Sequence, residues 1–314
     1  MSNNIIVTGG AGFIGSNLVR RLNQDGIENI YVVDNIKDSL KKENNLKDLK
    51  FEDLINKDSF INNLNDFKNS SFCFHQGACS DTTEKNENYL NQNNFEYSKT
   101  LLEFCNSNKI DLIYASSAAV YGNSSEFLEV SKNENPINFY AQSKLKFDNY
   151  LRSVLERLEI NVTGLRYFNV YGPREYHKDH MSSVILKFYQ QMIKDKKIKI
   201  FSGSEEFLRD FIFIDDVINI NMLFFKNRAN GIFNVGTGEA RSFMDIAKVF
   251  KNHFKDTEIE EINFPKNLEG QYQKFTQSNN NALEKKLSNI SFLPLEDGVE
   301  RYINHLNEYY KNES

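Results

Sequence analysis

The chain has 314 residues, 40% hydrophobic and 26% charged, with a formal net charge of -5. Such a chain can bury one large core or two modest ones, and its negative balance argues against a nucleic-acid partner. No apolar run reaches the roughly eighteen residues of a membrane span, so no membrane partner is expected.

The chain enters a strand, Ile5-Ile6-Val7, almost at once, so no signal peptide is expected. Thr8-Gly9-Gly10-Ala11-Gly12-Phe13-Ile14-Gly15 follows, and Phe13 to Asp25 reads as a helix with Ile14, Leu18 and Leu22 on one face. The three glycines Gly9, Gly12 and Gly15 let a pyrophosphate approach the backbone at a positive helix end. A second strand, Ile30 to Val33, delivers Asp34 about twenty residues past the last glycine, where a carboxylate can bond an adenosine ribose hydroxyl. A lysine-rich loop, Lys37 to Lys42, comes next. Phe51 to Leu54 is a weak strand, and Asp58 is a cap for a helix to about Phe67. Phe72 to His75 reads as a buried strand, ending in the small residues Gly77, Ala78, Cys79 and Ser80 after Gln76. Asn88 to Ser107 is a long helix. Asp111 to Tyr114 is a strand running into Ala115-Ser116-Ser117, and Asn138 or Phe139 opens a helix to about Leu158. Asn161 to Leu165 closes a half in which strand and helix alternate, the pattern of a parallel, doubly wound sheet.

Asn169 to Arg174 is turn-rich. Ser183 to Lys194 reads as a helix, Lys197 to Phe201 and Asp210 to Ile214 as strands. Asp215 or Asp216 caps a helix to Phe225, Ile232 to Val235 is a strand, and Ser242 caps a helix to Phe254. From Glu258 a strand, a loop around Gly270-Gln271-Tyr272 and two helices remain. The three cysteines, Cys73, Cys79 and Cys105, show neither C-x-x-C spacing nor a histidine cluster. Free thiols in a reducing cytoplasm, and no metal site, are the expectation.

Tyr140 and Lys144 are four apart at the start of a helix and share a face. An ammonium beside a phenol favours the phenolate, and Ser117, just past a buried strand, can bond the same substrate oxygen. Ser, Tyr and Lys behind a nucleotide loop suit proton transfer while a hydride leaves the same carbinol.

These motifs, with Ser116-Ser117-Ala118-Ala119-Val120-Tyr121-Gly122, Tyr140-Ala141-Gln142-Ser143-Lys144 and Arg166 to Pro173, resemble the extended short-chain dehydrogenase/reductases. Dehydratases of that superfamily carry Asp-Glu directly after the active-site Ser/Thr. Ala118-Ala119 stand there in this chain, so an elimination would lack its acid. A narrower resemblance, to the ADP-L-glycero-D-manno-heptose 6-epimerase family, rests on four stretches. These are His75 to Glu84, Gly172 to Lys178, Phe201 to Phe211, and Glu269-Gly270-Gln271-Tyr272-Gln273.

The resemblance implies an α/β fold, a doubly wound parallel Rossmann sheet with a second, smaller α/β substrate domain. Residues 1–171 and 210–238 would bind the cofactor, and 172–209 and 239–314 the substrate. It implies epimerisation at C6 of an ADP-heptose for the lipopolysaccharide inner core, with Tyr140 and Lys178 as the two proton acceptors beside Lys144 and Ser117. The cofactor would lie against Gly9, Gly12, Phe13, Ile14, Gly15, Asp34, Asn35, Lys41, Lys57, Gln76, Gly77, Ala78, Cys79, Ser80, Asn93, Tyr140, Lys144, Val170 and Lys178. The substrate would lie against Ser117, Asn169, His180, Lys187, Phe201, Ser202, Gly203, Ser204, Arg209 and Tyr272. The family motif has glutamate where this chain has Gln76 and Ser202, and serine where it has His180, departures that touch binding contacts. Asp34 would bond a ribose 2′-hydroxyl and repel a 2′-phosphate, whereas Asn35, Lys37, Lys41 and Lys57 could surround one. The resemblance favours NADP, with NAD as the alternative, and a homo-oligomer, a pentamer in the family. Two rival readings stay open: another nucleotide-sugar epimerase such as a UDP-galactose 4-epimerase, and a non-catalytic nucleotide-binding regulator.

Overall fold

The computed structural model describes residues 4–35, 40–264 and 273–313. The chain divides into two units, one of Met1–Tyr167 with Ile218–Asn234, the other of Phe168–Val217 with Val235–Ser314.

The first unit is built on a seven-stranded sheet. Along the chain its strands are Ile5–Thr8, Ile30–Asp34, Asp53–Asn56, Phe72–His75, Asp111–Ser117, Val162–Tyr167 and Gly231–Val235, and across the sheet they lie in the order 3-2-1-4-5-6-7. The first six run parallel. Ile5 pairs with Ile30 on one side and Phe72 on the other, so the strand order reverses around the first strand. In a doubly wound sheet the crevice outside the carboxyl ends at that reversal is where a ligand binds. Here those ends are Thr8 and His75, followed by Gly9 and Gln76.

The strands are apolar on both faces because helices cover both. Ile6, Cys73, Leu112, Tyr114 and Val162 form one core cluster with Leu101, Leu102 and Cys105 of helix Tyr97–Ser107 and Phe147 and Leu151 of helix Phe139–Val154. Asn138 caps the latter helix by accepting from Ala141 N at 2.8 Å.

Several boundaries differ from the sequence reading. The third strand starts at Asp53 rather than Phe51, because it pairs with Tyr31–Asp34. The cap of the following helix is Asn56, not Asp58: the Asn56 side chain accepts from Asp58 N and Ser59 N. The long helix read from Asn88 widens to a π-helical stretch over Asn91–Glu96.

The second unit holds a three-stranded sheet, Ala240–Ser242, Leu208–Phe213 and Asn169–Tyr171, and a parallel pair, Lys197–Phe201 with Glu258–Ile262. Asn169–Tyr171, read as turn, is therefore a strand. Leu208–Phe213 pairs with it and with Ala240–Ser242, so this strand lies in the second unit, and the chain re-enters the first at Ile218 instead of 210. Asp215 and Asp216 fall inside the first turn of helix Ile214–Asn227 rather than capping it; Asp216 instead accepts Leu293 N at 2.9 Å. Ser242 caps Phe243–His253 in a capping box with Asp245. No helix among the described residues is long and apolar enough to cross a membrane.

Candidate active site

The glycine turn is a space kept open by backbone. Gly9 has φ +66°, and a Cβ there would lie 2.6 Å from Gly77 N. A Cβ on Gly15 would strike the Gly9 carbonyl, and one on Gly77 would come 3.0 Å from Gly9 N. Gly12 N donates to Gly9 O at 3.0 Å and opens helix Phe13–Gln24, in which Phe13 is buried and Ile14 half-buried. Asn45 donates to Ala11 O at 3.1 Å and holds the turn from outside. Bare backbone on both sides of a helix N-terminus fits a dinucleotide pyrophosphate.

A chain of buried hydrogen bonds runs beneath this turn. Gly77 N donates to Thr8 Oγ1 (3.1 Å), which meets His75 Nδ1 at 2.6 Å; His75 Nε2 meets Ser98 Oγ at 2.8 Å, and Ser98 Oγ donates to Asn94 O at 2.7 Å. The donor count assigns the tautomer. Ser98 spends its proton on Asn94, so it accepts from Nε2–H, and Nδ1 is left to accept from Thr8. Burial, with Lys144 adding to it, pulls the His75 pKa down to about 3.

Asn94 ties the loop after His75 to the catalytic helix. Its side chain accepts Cys79 N at 2.8 Å, donates to Cys79 O at 3.0 Å, and donates to Ser143 Oγ at 2.9 Å. Gln76, one of the departures from the family motif, accepts from Tyr167 OH at 3.0 Å and donates to Asn221 at 3.4 Å. Ala78 is half-buried and Ser80 exposed on the same loop.

At the next strand end, Ser117 stands against Tyr140. Burial raises the Tyr140 phenol above its ordinary value, and a hydrogen bond from the Ser117 side chain opposes that. Lys144 reaches back to donate to Ala115 O at 2.9 Å. Burial lowers its pKa to about 8, against the opposing charge of Asp148. A serine, a tyrosine and a lysine are thus brought together at the carboxyl edge of the sheet, and the two residues after Ser117 carry only methyl groups.

On the adenosine side, both Asp34 oxygens are engaged. Oδ2 accepts Ala11 N at 3.0 Å; Oδ1 accepts Asn35 N at 2.7 Å and Lys42 Nζ at 2.8 Å. Among the described residues, the cation shown against Asp34 is Lys42, one residue past the expected Lys41, and Lys37 lies outside them. Lys57 meets Asn93 at 3.2 Å, which unites two of the expected cofactor residues, and also pairs with Asp58 at 2.8 Å.

The second unit places Lys178 in the short helical turn Tyr176–Met181, followed by Asp179 at φ 45°. Lys178 is half-buried, and burial pushes its ammonium below the usual range; Glu175 opposes this and Lys187 adds to it. Glu175, fully buried, accepts Ser183 N and Ser183 Oγ, both at 2.6 Å. Lys187 donates to His180 O at 2.7 Å. Asn169 is exposed and Val170 half-buried on their strand. Phe201 packs on Phe264 (5.3 Å), Ser202 N donates to Ile262 O at 2.8 Å, Gly203 turns with φ +77°, and Ser204 is buried. Arg209, expected to fork onto phosphate, is buried and donates to the carbonyls of Leu208 (2.9 Å) and Gln273. Tyr272 lies outside the described residues.

The sequence reading passed over Asn94, Lys42 and Asp148. A signal existed for Asn94: the polar run Asn91-Gln92-Asn93-Asn94 interrupts an otherwise amphipathic helix. Lys42 looked like every other lysine of its loop.

The fold and this site define a dinucleotide-dependent isomerase on a Rossmann core. The chain belongs to the NAD dependent epimerase/dehydratase family, whose sequence profile matches residues 5–236, and within it to the ADP-L-glycero-D-manno-heptose-6-epimerases. It is 50% identical over 306 residues to the ADP-L-glycero-D-manno-heptose-6-epimerase of Brachyspira hyodysenteriae, spanning 95% of this chain and 96% of that one. The Helicobacter pylori ADP-L-glycero-D-manno-heptose-6-epimerase superposes with a TM-score of 0.85 at 34% identity, over 97% and 96% of the two chains. A UDP-glucuronic acid 4-epimerase from Bacillus cereus, solved with UDP-glucuronic acid and NAD, superposes with a TM-score of 0.80 at 26% identity, over 98% and 100%.

Proposed function

We propose that the chain interconverts ADP-D-glycero-D-manno-heptose and ADP-L-glycero-D-manno-heptose by redox epimerisation at C6, with NADP as cofactor, for the lipopolysaccharide inner core. The reading of the reaction rests on one observation: Tyr140 is buried against Ser117, with methyl side chains where a dehydratase needs an acid. Half identity with a relative bearing that name supports the substrate.

The cofactor's contribution, when bound against Gly9, Gly12 and Gly15, is to accept a hydride from C6 and return it to the opposite face. Tyr140 takes the carbinol proton of one epimer. Ser117 donates to the same substrate oxygen and holds it in reach. The ammonium of Lys144 offsets the negative charge that the phenolate would carry. After the C5–C6 bond turns, the carbinol oxygen stands elsewhere, and one residue fixed on a helix reaches only one place at about 3 Å. Lys178 supplies the second acid/base. Its lowered pKa suits it, since a group that titrates nearer neutrality gives and takes a proton more readily. Asn169, His180, Phe201, Ser202, Gly203, Ser204 and Arg209 hold the ADP-sugar in this reading. NADP is preferred because Lys42 neutralises Asp34, removing the repulsion that would reject a 2′-phosphate.

The test is an NMR time course with each ADP-heptose epimer and with UDP-galactose. The expected outcome is C6 interconversion with no net change in NADPH, and losses of at least about 10²-fold in both Tyr140→Phe and Lys178→Met. Epimerisation of UDP-galactose alone, with Lys178→Met at the parent rate, would replace this reading by a one-base 4-epimerase. A deoxy-keto product would refute the reaction type.

A further inference from the structure

One helical turn beyond Lys144 the same helix carries Asp148, 0% exposed. Its carboxylate accepts Tyr114 OH at 2.8 Å, Ser116 Oγ at 2.9 Å and Arg166 Nε at 2.9 Å. Arg166 is likewise 0% exposed, and its Nη2 lies 2.8 Å from Asp148 while also pairing with Glu134. Arg152 closes on the other Glu134 oxygen at 2.8 Å, and the Tyr121 ring covers the Arg166 guanidinium at 5.0 Å.

Tyr114 and Ser116 flank Ala115, whose carbonyl takes the Lys144 ammonium. Three consecutive strand residues are therefore tied in alternation to Asp148, Lys144 and Asp148. The register explains why the grip falls there. The neighbouring strand Phe72–His75 stops pairing at Tyr114, so the ladder on that side ends one residue before Ala115 and three before Ser117. The last stretch keeps its ladder on the other side, where Ala115–Ser117 pair with Leu165–Tyr167, and the side chains of the helix add a second hold.

A buried ion pair is a poor device for stability, since apolar replacements of similar volume are often neutral or better. What this one supplies is a fixed position and a charge. We propose that Asp148 is a positioning residue for the epimerase reaction: held by Arg166, it fixes the strand end carrying Ser117 against the helix carrying Tyr140 and Lys144, and sets its negative charge toward the Lys144 ammonium. The proposal rests on the roles given above to Ser117, Tyr140 and Lys144.

The titratable groups around Lys144 are Asp148 and Tyr140 on its own helix, Cys79 on the loop after His75, and His75 itself. Those around Asp148 are Tyr114, Arg166, Arg152 and Glu134. Of these, Asp148 opposes most strongly the burial that lowers Lys144. Removing its charge lets the ammonium lose its proton at lower pH.

Asp148→Asn keeps the shape and removes the charge. Its kcat should fall about tenfold or more with KM nearly unchanged. The alkaline limb of its kcat profile should move down by about one pH unit, and Asp148→Glu should restore the limb. The Lys144 resonance in a protein carrying 13C-methylated lysines should titrate at lower pH by a similar amount, a reading that needs no turnover. A lower kcat with an unmoved limb and an unmoved Lys144 titration would overturn the proposal and leave Asp148 a packing residue. Should Asp148→Asn not fold, Ser116→Ala with Tyr114→Phe cuts two ties and leaves the charge. It should lower kcat with the limb in place, and parent kcat would overturn the positioning role. Tyr140→Phe run alongside separates the two ideas: full activity there sinks the assigned roles of the site, not the effect of Asp148 on Lys144.

Discussion

Acidification should unfold this protein partly through His75. The imidazole is 3% exposed, it is neutral in the fold, and its pKa lies at about 3 against an ordinary 6.5. A base whose folded pKa is depressed contributes its full stability above the unfolded value and loses it as pH falls, because the unfolded chain binds the proton first. The window is therefore from about pH 6.5 down to about pH 3. Each unit within it costs about 1.36 kcal/mol, so between about pH 7.5 and pH 5 the loss is roughly 2 kcal/mol. That is a sizeable share of the ~5–15 kcal/mol that holds a typical domain folded. The cause is burial, with the Lys144 ammonium adding to it, and the hydrogen-bond chain leaves an added proton no acceptor of its own. A proton on Nδ1 would face Thr8 Oγ1, which already accepts from Gly77 N. The Thr8 hydroxyl proton would then have to leave its partner in a buried place. The assay is urea unfolding of the cofactor-free parent and of His75→Gln across that range, followed by circular dichroism. The variant removes the one titrating group and leaves the surface carboxylates common to both. The parent should lose about 2 kcal/mol more than the variant between the two pH values. Parallel curves would refute the reasoning and show that the imidazole takes up its proton inside the fold.

Gly15→Ala should abolish co-purification of a dinucleotide, because its Cβ meets the Gly9 carbonyl, which is backbone and cannot swing aside; a cost of about 2 kcal/mol in unfolding should accompany it, and unchanged cofactor content would remove the turn from the site. Lys42→Glu should weaken NADP relative to NAD by about tenfold in calorimetric titration at low salt, with Lys41→Glu doing less, since Lys42 stands 2.8 Å from Asp34. Equal loss of both cofactors would take Lys42 out of the phosphate discrimination.

Sequence by itself determined the elements whose chemistry is local. The glycine turn needs only Gly9, Gly12 and Gly15 at fixed offsets between a strand and a helix, and a helical repeat of four is enough to set Tyr140 and Lys144 on one face. The alternation of strand and helix fixed the parallel sheet, because parallel strands require crossovers. Tertiary structure decided everything that depends on partners distant along the chain. Asn94 and Cys79 lie 15 residues apart, Asp148 and Tyr114 34, and His75 and Thr8 67. None of these pairs follows from a period or a motif. The choice of Lys42 over Lys41 beside Asp34 depends on how a short helix after the loop is turned, a rotation of about 100° per residue that composition does not encode. The strand Asn169–Tyr171 escaped because three residues carry too little periodicity to be read. It exists through pairing with Leu208–Phe213, some forty residues on, and that pairing also moved the boundary between the two units.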